Sequence, residues 1–212
     1  MYSVEVKTFS APPIDEREIL RYAGSQNADG DLRALLQECL LECENALSYR
    51  ACYCRLSTAD FFRLVDGAKQ SKGVQARLCG CDEVILFAAS VGLGIDRLME
   101  KYGKISPLKA LLFQAVGAER IESLCECLCG YLQSEYGELT ARFSAGYGDF
   151  PLSAQKDIFR LLSCPKHIGV SLTDSLLMTP TKSVTAFVGV GKSGEKFGCG
   201  VCDKKDCQLR KE

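Results

Sequence analysis

An α+β domain with an antiparallel or mixed sheet flanked by helices is the fold class this sequence predicts. Residues 48–56 and 183–190 alternate apolar and polar positions as strands do, and 83–90 is a continuously apolar run. Helical periodicity fills much of the rest. The two kinds of segment interleave irregularly, with no repeating strand–helix–strand unit, which argues against a regular parallel sheet.

In chain order, residues 4–7 alternate as a short strand, and Pro12-Pro13 breaks it. Residues 14–22 read as a helix carried by Ile14, Ile19 and Leu20 and ended by Gly24. A second helix is expected over 31–47, with Asp31 at its N-cap and a buried face of Leu32, Leu35, Leu36, Cys39, Leu40, Cys43 and Leu47. The strand at 48–56 follows, then an apolar patch at 61–65. Residues 78–82 are read as a strand end and turn, and 83–90 as a central strand. Gly92 and Gly94 then precede a helix at about 96–102. A dinucleotide-binding loop fails here, because the third glycine of G-x-G-x-x-G would fall on Arg97.

The longest helix is expected from Ser106, its N-cap, and Pro107, its first residue, to Tyr136, with Gly117 inside it for close packing. Glu122 and Glu126 share one of its faces, and so do Cys125 and Cys129, whereas Cys127 does not. Residues 152–162 read as a short helix capped by Ser153, 164–169 as a loop holding the lone His167, and 170–172 and 183–190 as strands. One domain over 1–190, with its N-terminal helical part at 14–47, and a cysteine-rich tail over 191–212 are the expected divisions.

A net charge of −1 offers nucleic acid or an anionic membrane no electrostatic attraction. No apolar run is long enough for a spanning helix and the N-terminus has no signal-like core, so a cytoplasmic, reducing setting is expected. There the 13 cysteines are expected as small buried residues or metal ligands rather than disulfides. Cys79 and Cys81 are one residue apart and suit a turn better than a ligand pair. His167 has no Ser or Asp arranged near it for a triad.

Two stretches carry chemistry. Residues 142–148 are Arg-Phe-Ser-Ala-Gly-Tyr-Gly. An arginine fork suits a carboxylate, glycines let backbone approach a ligand, and tyrosine adds a flat face with a polar tip. A surface turn with a solvated arginine fits the same residues. In the tail, Cys199, Cys202 and Cys207 form C-x2-C-x4-C in a polar, glycine-flanked setting. Three thiolates so spaced suit an iron–sulfur cluster or zinc, with a fourth ligand from Cys79, Cys81, Cys164 or another chain.

Three segments, in order, resemble the reactivation domain of cobalamin-dependent methionine synthase. Residues 142–148 resemble its R-x-A-x-G-Y-P signature, and 178–186, Met-Thr-Pro-Thr-Lys-Ser-Val-Thr-Ala, its M-x-P-x-x-S-V-S-G strand. Residues 120–126 resemble its R-L-A-E-A-x-A-E helix with an offset of one, which puts Glu122 on the acidic ligand position. The resemblance covers about 115–190 and implies a C-shaped α+β domain around a twisted antiparallel sheet. It implies a domain that binds S-adenosylmethionine and takes part in methyl transfer only with a partner. That partner carries the cobalamin, and flavodoxin or ferredoxin gives the electron. By position, Arg142 would hold the cofactor's carboxylate, Ser144 and Gly146 would contact it through backbone, Glu122 would face its cationic part, and Tyr147 would line the corrin-facing edge. Gly148 stands where the family has proline, Ser144 where it has alanine, and Phe197 near its late tyrosine. The N-terminal acidic ligand has no evident counterpart. No D-x-H-x-x-G motif occurs, so the corrinoid is expected on another chain. The alternative is an electron-transfer module on the same scaffold, using a cluster in the tail.

Overall fold

The computed structural model describes residues 2–25 and 29–191. Its strands are β1 (Glu5–Phe9), β2 (Tyr49–Ser57), β3 (Glu83–Ser90), β4 (Ser171–Leu172), β5 (Met178–Thr179) and β6 (Ser183–Val190). Its helices are α1 (Glu16–Tyr22), α2 (Gly30–Cys43), α3 (Thr58–Leu64), α4 (Lys72–Leu78), α5 (Gly94–Gly103), α6 (Pro107–Tyr136), α7 (Gln155–Leu162) and α8 (Cys164–Ile168). The main sheet runs β1-β2-β3-β6 with every pairing antiparallel, and β4 and β5 form a separate antiparallel pair. The fold class is therefore α+β, and the described sheet is antiparallel rather than mixed.

Alternation along β3 explains its unbroken apolar run. Ile85, Phe87 and Ala89 face a core shared with α1, α2, α5 and α6. Val84, Leu86 and Ala88 face a second core built with α3, α4, α7 and α8. Both faces are dry, so the polar residues of this strand, Glu83 and Ser90, stand only at its two ends.

A buried clamp ties the N-terminal segment to α6. Arg120 donates to the Pro12 and Pro13 carbonyls, each at 2.6 Å, and pairs with Glu119, both residues being 2% exposed. Glu119 also accepts from the Ser123 hydroxyl at 2.7 Å and the Asp15 amide at 3.2 Å. Every polar group of the buried pair thus has partners, which is the condition for burying charge at tolerable cost.

Several boundaries differ from the sequence expectation. Asp29, not Asp31, caps α2, its carboxylate accepting from the Leu32 amide at 2.8 Å. The patch at 61–65 belongs to helix α3, and 78–82 follows a helix end instead of a strand. Residues 152–154 form a 3-10 turn ahead of α7 with no side-chain cap from Ser153, and Ser106 likewise makes no capping bond. Residues 164–168 are helical, not a loop. Gly117 is a packing glycine as expected: a Cβ there would stand 2.8 Å from Ile95 Cγ2 and 2.9 Å from Lys182 Cε.

Candidate functional site

Beyond α6 the chain turns at Gly137 (φ 87°) and runs back alongside β6. The Thr140 amide donates to the Gly189 carbonyl at 2.9 Å, and Phe143 and Phe187 exchange backbone bonds of 3.1 and 2.9 Å. Extended backbone sends neighbouring side chains to opposite sides. Phe143 accordingly enters the second core, edge-on to Phe187 and stacked on Phe150. Arg142 points the other way, to α6, where its Nη2 lies 3.0 Å from Glu122 Oε2.

Residues 144–150 fold into a tight turn. The Tyr147 amide donates to the Ser144 carbonyl at 3.3 Å and the Gly146 amide to the Phe150 carbonyl at 2.9 Å. Gly146 (φ 91°) and Gly148 (φ 57°) both occupy the left-handed region that glycine adopts without strain. Proline is locked near φ −65°, so this turn excludes the residue that the resembled signature carries at position 148. Asp149 then anchors the turn by capping α4 from outside: its carboxylate accepts from Ser71 Oγ at 2.6 Å and from the Lys72 and Gly73 amides at 2.6 and 3.1 Å. The Ser71 hydroxyl first, then those amides, hold the Asp149 carboxyl below its ordinary pKa.

Glu122, Arg142, Ser144 and Tyr147 line one cavity of about 560 Å³. Gly146 does not line it; it shapes the turn, and its amide is taken by Phe150. Among the described residues the Ser144 amide has no partner. Burial works against the Arg142 charge, but its neighbours, the Glu122 carboxylate among them, outweigh it and hold its pKa above the ordinary arginine value. Burial in turn pushes the Cys125 thiol up to about 12, so it stays neutral behind the guanidinium. Tyr147, 67% exposed, forms the outer lip.

Three further polar residues line this cavity, of which Arg77 and Gln155 carry no sequence signal and Thr185 lies in the resembling segment 178–186. Arg77 lies with its guanidinium 3.8 Å from the centre of the Phe143 ring. Gln155 and Thr185, 6% and 2% exposed, have a buried Oε1 and Oγ1 that no described group bonds. Nearer α1, Asp15 and Glu18 stand with Glu122 around a narrow cleft of about 90 Å³. Asp15 caps α1 through the Arg17 and Glu18 amides, and Glu18 pairs with Arg21 at 2.8 Å. A larger cleft of about 860 Å³, lined among others by Pro12, Arg17 and Arg33, is faced by none of Glu122, Arg142, Ser144 and Tyr147.

Cys199, Cys202, Cys207 and Phe197 lie outside the described residues. Among the described residues no group of His, Cys, Asp and Glu side chains is arranged for a metal. Of the three cysteines considered as a fourth ligand, Cys81 and Cys164 are buried and Cys79 is exposed. The His167 carbonyl accepts from Arg50 at 3.0 Å, and its amide donates to the Ser163 carbonyl at 3.2 Å. No described helix is long and apolar enough to cross a membrane.

Comparison with known proteins identifies a family and a fold. A family model described as vitamin B12 dependent methionine synthase, activation domain, matches residues 56–211. The match begins well before the three resembling segments and runs on through the cysteine tail. Among solved structures, the crystal structure of the MetH reactivation domain bound to AdoHcy superposes with a TM-score of 0.64 at 14% identity, over 92% of this chain and 80% of that one. At that identity the superposition shows a shared fold.

Proposed function

Because this chain belongs to the family of vitamin B12 dependent methionine synthase activation domains, we propose that it is the reactivation subunit of a split methionine synthase. It binds S-adenosylmethionine and presents the methyl group to a cobalamin held by a partner corrinoid chain. The observation that carries this reading is Arg142 and Glu122 paired at 3.0 Å on one cavity. An amino-acid zwitterion arriving there trades one ion pair for two. The guanidinium takes the carboxylate in a bidentate pair, and the freed Glu122 carboxylate turns to the ammonium or sulfonium side. The unpartnered Ser144 amide adds a donor beside them. A cavity of about 560 Å³ suits a ligand of this size. The similar solved structure holds AdoHcy, which is S-adenosylmethionine without its methyl group.

Cobalamin supplies a cobalt nucleophile once an external donor such as flavodoxin or ferredoxin has given one electron. The chain's own task is to fix the sulfonium in line and keep water out, so that binding geometry lowers the barrier. On this reading Tyr147, on the exposed lip and lining the cavity, meets the flat corrin edge. Calorimetric titration of S-adenosylmethionine into wild type and Arg142→Ala tests the reading. Loss of a charged hydrogen-bonded contact costs about 1.5–3 kcal/mol, roughly ten- to a hundred-fold in affinity. Equal binding by both proteins would remove Arg142 from the site.

A second reading rests on Cys199, Cys202 and Cys207, whose spacing suits an iron–sulfur cluster that would deliver the electron from within the chain. Iron and sulfide analysis of anaerobically purified protein tests it, and a colourless, metal-free protein rejects it.

A further inference from the structure

Lys182 opens β6's approach from the cis Thr179–Pro180 peptide, and it is 7% exposed. The polar groups around it are already satisfied. Its own carbonyl accepts from the Val91 amide, Thr181 bonds the Asp96 carboxylate, and Ser183 Oγ bonds Ser90 and the Pro180 carbonyl. The Lys182 ammonium, by contrast, has no ion pair or hydrogen bond among the described residues. Its stem lies against α6 at Gly117, where a Cβ would stand 2.9 Å from Lys182 Cγ and Cε. Two stability costs therefore meet at one point: a glycine inside a helix and a buried cation without a direct ion-pair or hydrogen-bond partner.

The lysine lines a second cavity of about 360 Å³, between α1, α6 and the 147 turn. Arg21, Tyr22, Glu122 and Tyr147 face it too. Arg21 is paired with Glu18 and Glu122 with Arg142, whereas Asp96, held by Thr181, acts on Lys182 only through space, with no ion pair or hydrogen bond between them. Glu122 and Tyr147 also line the larger cavity, so the two adjoin. We propose that this second cavity is an oxyanion subsite in which Lys182 receives the phosphate or carboxylate group of a small molecule. An anion seated there gives the Lys182 ammonium the direct partner that the fold leaves open. Burial lowers the Lys182 pKa, with Asp96 opposing, and a bound anion would raise it again.

The test uses the whole wild-type protein with inorganic phosphate and, separately, acetate as probes. Trace acetylation followed by mass spectrometry reads the reactivity of Lys182 against exposed Lys156. At a phosphate concentration about ten times its dissociation constant, occupancy slows Lys182 labelling about tenfold and leaves Lys156 unchanged. Protection by phosphate alone assigns a phosphate ester, and protection by both probes a carboxylate-tolerant site. Absence of protection by either, or equal protection of Lys156, overturns the proposal. Lys182→Met fills the stem's volume without the charge, and its melting temperature should not respond to phosphate while that of wild type rises. An equal rise in the variant also overturns the proposal; should the variant not fold, the wild-type labelling decides alone.

Discussion

The Arg142 guanidinium and the Glu122 carboxylate, twenty residues apart in sequence, stand 3.0 Å apart across the cavity wall. Their side chains are 27% and 37% exposed. A pair this open contributes less than about 1 kcal/mol to stability. Glu122→Gln should therefore leave the melting temperature nearly unchanged while weakening S-adenosylmethionine binding. Calorimetry beside thermal unfolding separates the two effects, and a large loss of stability with intact binding would make the pair structural.

The clamp at Arg120 should behave in the opposite way. Arg120→Ala strands the buried Glu119 carboxylate and two proline carbonyls. Breaking a buried pair costs about 3–5 kcal/mol. Denaturant unfolding should show that loss, and a loss below about 1 kcal/mol would mean that water replaces the missing partner.

Asp149 predicts an acid-sensitive turn. Its pKa is depressed in the folded chain by Ser71 Oγ and the α4 amides, so its contribution is present above the unfolded carboxyl value and fades as pH falls through the folded one. Melting temperature measured from pH 5 downward should fall less steeply for Asp149→Asn than for wild type. Parallel curves would show that the cap does not titrate as described.

Gly148→Pro should harm the protein although proline is the resembled family's residue there. The φ of 57° at this position cannot be reached by proline, and incompatible substitutions of this kind destabilise by more than about 1 kcal/mol. Gly148→Ala should cost about 1–2 kcal/mol. Chemical denaturation of the two variants checks the order, and a neutral Gly148→Pro would require a different turn.

Much of the fold was legible because its strands obey simple patterns. The run at 83–90 announced a central strand, and alternation at 48–56 and 183–190 announced its neighbours. The short helices α3, α4 and α8 were not legible, since seven or five residues hold too few turns to display a period; α1, equally short, was read with help from the Pro12-Pro13 break and the Gly24 stop. The α4 start is moreover completed by Asp149, far away in sequence. At the site, Arg142 and Tyr147 were legible as a motif, and Ser144 and Glu122 only through resemblance. Arg77, Gln155 and Thr185 reach the same cavity from three separate elements, a convergence that exists only once the chain has folded.

The segment bearing Arg142 lies along the free side of β6, bridging at Leu139 and Phe143. An uncovered sheet edge is a template for pairing with another chain. The ligand loop is thus also the cover that keeps β6 from recruiting strands of other molecules. Variants that loosen residues 139–148 should show a colloidal defect, self-association through β6, and ligand that tightens the loop should suppress it.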